Sequence, residues 1–293
     1  MSFEYQPIPS GADVFVQPDE PAETPAPAPD GDGAFWYPVF EAGSEIWQFP
    51  AGDDVRGAGI DGDVAVFGSN DNNGYAVDVE TGDELWQFPA GDEVRGAGID
   101  GDVAVFGSSD DNGYAVDVET GDELWQFPTG GSVFGAGVDG DVAVFGSSDE
   151  NGYAVDVETG DELWQFPTGS FVYGAGVDGD VAVFASRDEN GYAVDVETGD
   201  ELWQFPTGGF VFGAGIDGDV AVFGSNDENG YAVDVATGDE LWQFPAASFV
   251  RGAGIDGDVA VFGSDDNNGY AVDVFDQYDE PRISDGNNWL SPQ

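Results

Sequence analysis

Short runs of alternating apolar and polar residues, cut by turn residues, fill most of this chain, and one stretch displays the whole pattern. Val-Arg-Gly-Ala-Gly-Ile (55–60) is a strand of small residues, and Asp61-Gly62 after it suits a type I′ hairpin turn, whose two central residues take positive φ. Asp63-Val-Ala-Val-Phe67 alternates with a period of two and runs into Ser69-Asn-Asp-Asn-Asn73-Gly74, where Asn73-Gly74 predicts a second hairpin. Tyr75-Ala-Val-Asp-Val-Glu80 alternates again and Thr81-Gly82 turns. Glu84-Leu-Trp-Gln-Phe88 with Pro89 then predicts a fourth strand.

The unit is written repeatedly. Trp-Gln-Phe-Pro places its tryptophan at Trp47, Trp86, Trp125, Trp164, Trp203 and Trp242, always 39 residues apart. Four short strands in such a period are the content of one propeller blade, whereas helical repeats of similar length need long apolar stretches with a 3.6 period, absent here. The chain is therefore expected to be all-β, a six-bladed β-propeller of four-stranded antiparallel blades. The small residues at 55–60 fit the innermost strand, where blades converge; the tryptophans fit the wide outer gaps between blades.

Ala76-x-Asp78-x-x-x-Gly82-x-x-x-Trp86 resembles the tryptophan-docking motif of the quinoprotein-type (pyrroloquinoline quinone-like) propeller repeat, and it recurs at 115–125, 154–164, 193–203 and 232–242. The resemblance implies that each indole stacks on the equivalent motif of the neighbouring blade. A sixth copy is split: Ala271 and Asp273 lack a following tryptophan, while Gly43 and Trp47 lack a preceding Ala-x-Asp. Joined, the two halves would let residues 44–50 complete the last blade, so that an N-terminal strand closes the ring and removes a free sheet edge. This divides the chain into an N-terminal extension (1–33), a propeller (34–275) and a C-terminal tail (276–293). Trp36-Tyr-Pro-Val-Phe-Glu41 then duplicates a strand the ring already has, and is expected outside the ring or on a partner.

Enzymes of that family bind pyrroloquinoline quinone and calcium on eight-bladed propellers, with a vicinal cysteine pair over the quinone. This chain has no cysteine, and near-identical blades provide no single asymmetric pocket. The resemblance points instead to non-enzymatic members that act as assembly and binding scaffolds. No catalytic residue and no cofactor is expected.

Charge narrows the setting. Five basic residues against 60 acidic ones give a formal charge of −55, yet 41% hydrophobic content argues for a folded domain with an acidic skin. Neighbouring carboxylates repel over about 10 Å at 0.1 M salt but only about 3 Å at 1 M, so the composition fits a protein of an extreme halophile. The absence of histidine and cysteine removes Ser-His-Asp and Cys-His catalysis, imidazole and thiolate metal sites, and disulfides. Nucleic acid needs a basic face that this chain lacks. No apolar run is long enough to span a membrane, and residues 1–5 resemble no signal peptide. Extracellular or cell-surface placement in a halophile is favoured over the cytoplasm, since a mature form could carry a new Met1.

Ser69-x-Asp71-x-Asn73-Gly74 and its copies resemble the front half of a calcium loop, but the late bidentate carboxylate is missing: Glu80 would stand at a strand end and becomes Ala236 and Phe275 in later copies. A polar hairpin is the expected reading, with no metal.

Function must therefore be sought where the copies differ. After the shared valine of the first strand stand Arg56, Arg95, Phe134, Tyr173, Phe212 and Arg251; before it stand Asp54, Glu93, Ser132, Phe171, Phe210 and Phe249. Residues i and i+2 of a strand share a face, so both columns line one rim of the channel, arginines on one arc and aromatics on the other. Arg187, in the loop between second and third strands, belongs to the same end. These residues are the candidate site for a small anionic or aromatic-stacking ligand. The competing expectation is that the arginines form exposed ion pairs worth under about 1 kcal/mol.

Residues 17–33, with five prolines, read as an extended linker. Val14, Phe15 and Val16 before it, Trp36 and Phe40 after it, and Trp289 in the tail are apolar and expected to dock on another subunit by strand addition. The favoured function is a non-enzymatic structural or assembly propeller that self-associates in high salt through its N-terminal extension, ahead of the ligand-binding module.

Overall fold

The computed structural model of the protein describes residues 15–16, 38–39 and 46–274. Contacts divide the chain into two units, Met1–Gln48 and Phe49–Gln293. In the first, Phe15–Val16 pairs in parallel with Pro38–Val39. The apolar segments expected on either side of the proline linker thus meet in one chain over two residues each. Val14, Trp36, Phe40 and Trp289 lie outside the described residues.

In the second unit the strands Val55–Asp61, Val64–Ser69, Asn73–Asp78 and Glu84–Pro89 form one antiparallel sheet. The same sheet recurs at 94–128, 133–167, 172–206 and 211–245. A three-stranded sheet of Val250–Asp256, Val259–Ser264 and Gly269–Asp273 follows. Together they make a six-bladed β-propeller. First strands of successive blades pack on one another. The approach is so close that a Cβ on Gly57 would lie 2.6 Å from the Ala97 backbone nitrogen, which is why the innermost strand is built from glycine and alanine.

Two turns differ from the expected chemistry. After the first strand only Gly62 takes a positive φ, 53°, and Asp61 still pairs with Val64. The turn is therefore centred on Gly62-Asp63, with the single positive φ at its first central position as in a type II′ hairpin. At the next hairpin the positive φ, 72°, falls on Asn72, and Asn73-Gly74 opens the third strand. Gly74 is needed for packing: a Cβ there would stand 2.8 Å from the ring of Phe106 in the next blade.

That contact is part of the core, which lies between blades. Phe88 of blade one stacks on Phe106 of blade two at 6.1 Å and meets Tyr114 edge-on at 5.2 Å. Phe106, Phe145, Phe184 and Phe223 are fully buried, each worth about 1.5–3 kcal/mol in transfer terms.

The last blade has three strands, and no pairing of residues 46–50 with it occurs among the described residues. Phe49 nevertheless stacks on Phe67 at 6.4 Å and meets Tyr75 at 5.2 Å. It holds toward blade one the place that Phe88 holds toward blade two.

Candidate functional site

The loop joining second and third strands carries the acidic group that resembles half a calcium loop, and its geometry shows what the carboxylate does. One oxygen of Asp71 accepts bonds from the Gly52 amide (2.6 Å) and the Tyr75 hydroxyl (2.7 Å). The other accepts from the backbone and side-chain nitrogens of Asn73, both at 3.1 Å. Asp110, Asp149, Asp188, Asp227 and Asp266 repeat this knot. With both oxygens saturated by protein donors, the aspartate ties the loop to the one entering the blade and is spent on structure. Among the described residues no group of three or more acidic side chains could hold a metal ion.

Protonation follows the same bonds. Burial opposes ionisation of Asp71, but the Tyr75 hydroxyl, Asn73 and the Gly52 amide outweigh it and hold the carboxyl below its ordinary value. Burial, with the bond to Asp71, pushes the Tyr75 hydroxyl up to about 12. Tyr114, Tyr153, Tyr192 and Tyr231 are raised for the same reasons.

The Gly52–Asp71 bond also places the loops entering each blade and the loops after the second strands at one end of the propeller, so the variable residues do share a rim. Phe134, Tyr173 and Phe212 form a ladder with successive ring centroids 5.2 Å apart. Arg95 caps one end, 5.5 Å over Phe134, and Arg251 the other, 4.5 Å over Phe212.

Each of the three arginines of this column has a carboxylate partner. Arg56 meets Asp54 at 3.2 Å, Arg95 meets Glu93, and Arg251 meets Asp265 at 2.8 Å. These side chains are about a third or more exposed, so each pair adds less than about 1 kcal/mol. Asp265 was not anticipated. The signal was a fixed offset of 14 residues, which also sets Asn70 beside Arg56 and Ser109 beside Arg95.

Arg187 is different. Its guanidinium lies 5.6 Å over Phe171 and 5.0 Å over Phe210, and no carboxylate pairs with it among the described residues. The threonines of the aromatic blades have a structural task that their alanine counterparts lack: the Thr129 hydroxyl donates to the Gly131 carbonyl at 2.6 Å.

Blade-to-blade locking is the other repeated device. Trp86 Nε1 donates to the Val118 carbonyl of the next blade at 2.7 Å, and the indole covers Gly121, where a Cβ would lie 2.8 Å from Trp86. Trp125, Trp164, Trp203 and Trp242 repeat the bond to Val157, Val196, Val235 and Val274. Trp47 is described, at the end of the first unit.

These features define a tryptophan-docked repeat propeller of the pyrroloquinoline quinone-like class. The family model described as outer membrane protein assembly factor BamB matches residues 39–171 and 153–276, and the chain belongs to that family. A comparison with curated proteins finds no match. Among solved structures, the crystal structure of the computationally designed Ika8 protein is similar, with a TM-score of 0.66 and 19% identity over 75% of this chain and 70% of that one. That likeness concerns the fold alone. No helix among the described residues is long and apolar enough to cross a membrane.

Proposed function

We propose that the protein is a non-enzymatic assembly propeller that associates with copies of itself or with another protein through residues 1–33, in high salt. The observation that carries this reading is that the repeated polar groups of the blade loops are committed internally. The aspartates of the loop knots bind backbone and tyrosine, the channel-side arginines have carboxylate partners, and no buried side-chain polar atom lacks one among the described residues. A rigid frame whose repeated loop groups are engaged in this way offers surface and edges for association. Membership of a family described as an assembly factor supports the same view.

The test is mass in solution at molar salt across a range of protein concentrations. Oligomers from the full chain and a folded monomer from a chain lacking residues 1–33 are expected; a full chain monomeric at high concentration would rule the reading out.

One observation favours a second reading, ligand binding on the variable rim. Arg187 presents an exposed guanidinium, without a carboxylate partner among the described residues, over Phe171 and Phe210, and Phe171 meets Tyr173 of the aromatic ladder at 6.4 Å. Anilinonaphthalene sulfonate, an aromatic anion, should bind there and lose affinity in Arg187→Gln. Unchanged affinity in that variant would eliminate the site.

A further inference from the structure

Asp71-Asn-Asn-Gly-Tyr-Ala-Val-Asp-Val79 of blade one and Asp266-Asn-Asn-Gly-Tyr-Ala-Val-Asp-Val274 of blade six are the same residues in the same order. Each contains Asn-Gly, the sequence in which an asparagine is most readily lost, because a glycine without Cβ lets its backbone nitrogen reach the preceding side chain. Local sequence is matched, so any difference in reactivity between the two comes from the fold.

Blade one holds its copy. Asn73 and Gly74 open the strand Asn73–Asp78, opposite Pro89 and Phe88 of the fourth strand. Asn73 Nδ2 donates to the Asp71 carbonyl at 3.0 Å and to Asp71 Oδ1 at 3.1 Å. Gly74 is buried, with the Phe106 ring 2.8 Å from where a Cβ would stand. A carboxamide anchored in this way beside a paired, extended backbone cannot turn over the following nitrogen unless the strand opens. Asn112, Asn151, Asn190 and Asn229 are likewise half-buried at strand starts, opposite Pro128, Pro167, Pro206 and Pro245.

Blade six loosens each of these restraints. Its third strand begins at Gly269, so Asn268 lies outside it, and no fourth strand pairs with it among the described residues. Asn268 Nδ2 is 3.5 Å from the Asp266 carbonyl, leaving the bond to Asp266 Oδ1, at 3.1 Å, as its firm anchor. A Cβ on Gly269 would come no nearer than 4.0 Å to any described residue outside its chain neighbours, at the Phe262 carbonyl. Asn268 and Gly269 are both exposed, whereas the glycines of the other five pairs are buried.

We infer that Asn268 is a site of covalent modification, where the chain deamidates itself with water as the co-reactant. The Gly269 backbone nitrogen attacks Asn268 Cγ and closes a cyclic succinimide. The carboxamide nitrogen departs as ammonia, taking the proton that the glycine nitrogen gives up. Water then opens the ring at either carbonyl, leaving aspartate or isoaspartate. Both products put a carboxylate where Asn268 donates to Asp266, so an attraction becomes a like-charge repulsion. Isoaspartate also adds a methylene to the main chain at the start of the third strand. The loop affected is the one that holds Asp265 against Arg251.

Trypsin cuts this lysine-free chain only after arginine, so Asn73 falls in the peptide 57–95 and Asn268 in 252–282, each with no other Asn-Gly. The full chain is kept folded in molar salt at mildly alkaline pH, and the mass gain of each peptide is followed against a zero-time digest. Fragmentation distinguishes Asn268 from Asn267. Asn268 should convert at least about tenfold faster than Asn73 while the chain is folded, and the two should convert at equal rates in denaturant. A smaller ratio in the folded chain, or one that persists in denaturant, overturns the inference.

Gly269→Ala tests the cyclic route, since the added methyl has room but crowds the attacking nitrogen. The mass gain at Asn268 should slow by at least about tenfold. An unchanged rate would mean direct hydrolysis and would overturn the succinimide.

Discussion

Trp86 Nε1 bonds the carbonyl of Val118 across the first blade interface at 2.7 Å, 32 residues further along the chain. Hydrogen bond and stacking act together, since the indole also lies against Gly121. Trp86→Ala should cost about 3–5 kcal/mol, the usual range for a buried aromatic truncation, and Trp86→Phe less, by the part that belongs to the ring. Denaturant unfolding of both variants in molar salt measures it.

Gly152→Ala should destabilise by about 1–3 kcal/mol through overpacking, because the added carbon would stand 2.7 Å from the Phe184 ring. Phe184→Leu in the same chain should recover part of that loss, making the pair non-additive. Strictly additive losses would show that Gly152 matters for its backbone and not for the ring it faces.

The thermal midpoint should rise steeply between about 0.1 M and 1 M salt, as screening shortens from about 10 Å to about 3 Å around a charge of −55. Sodium chloride and potassium chloride should act alike if screening is the cause. A flat profile would refute the dependence.

Stability should fall at both ends of the pH range. Tyr75 is raised from the ordinary tyrosine value of about 10 to about 12, so its contribution is complete below about pH 10 and is lost as pH climbs through about 12. Asp71 is held below the ordinary aspartate value of about 4; its contribution is complete above that value and disappears as pH falls through the lower folded one. Thermal melts across pH in molar salt, with tyrosinate absorbance followed at the alkaline end, should show ionisation of the buried tyrosines coinciding with unfolding. Free titration of all tyrosines near pH 10 in the folded protein would contradict it.

Much of this architecture is legible from residues alone because it is local or periodic. The spacing of Trp86 from Trp125 gives the blade, and alternation in Tyr75–Glu80 gives a strand with one buried face. Ala76, Asp78 and Gly82 point to docking by their spacing from Trp86. Asn73-Gly74 misleads because a dipeptide suited to a turn is also what a crowded strand requires, and the neighbour that crowds it, Phe106, comes from the next blade. The partners of Arg251 and Arg187 escape notice because a one-dimensional reading compares columns, whereas Asp265 and Phe210 approach from loops and adjacent blades.

Each complete blade anchors three aspartates in fixed bonds: Asp61 holds the next blade's Gly101, Asp71 ties two loops, and Asp78 accepts from the Thr81 amide and hydroxyl. The acidity of this chain therefore has two populations. One stands in solvent and answers to counter-ions. The other is already solvated by amides and hydroxyls of the protein, and behaves as mortar between its courses. Neutralising surface carboxylates by mutation should relax the demand for salt, while the same number of substitutions among the mortar should bring the wall down at any ionic strength.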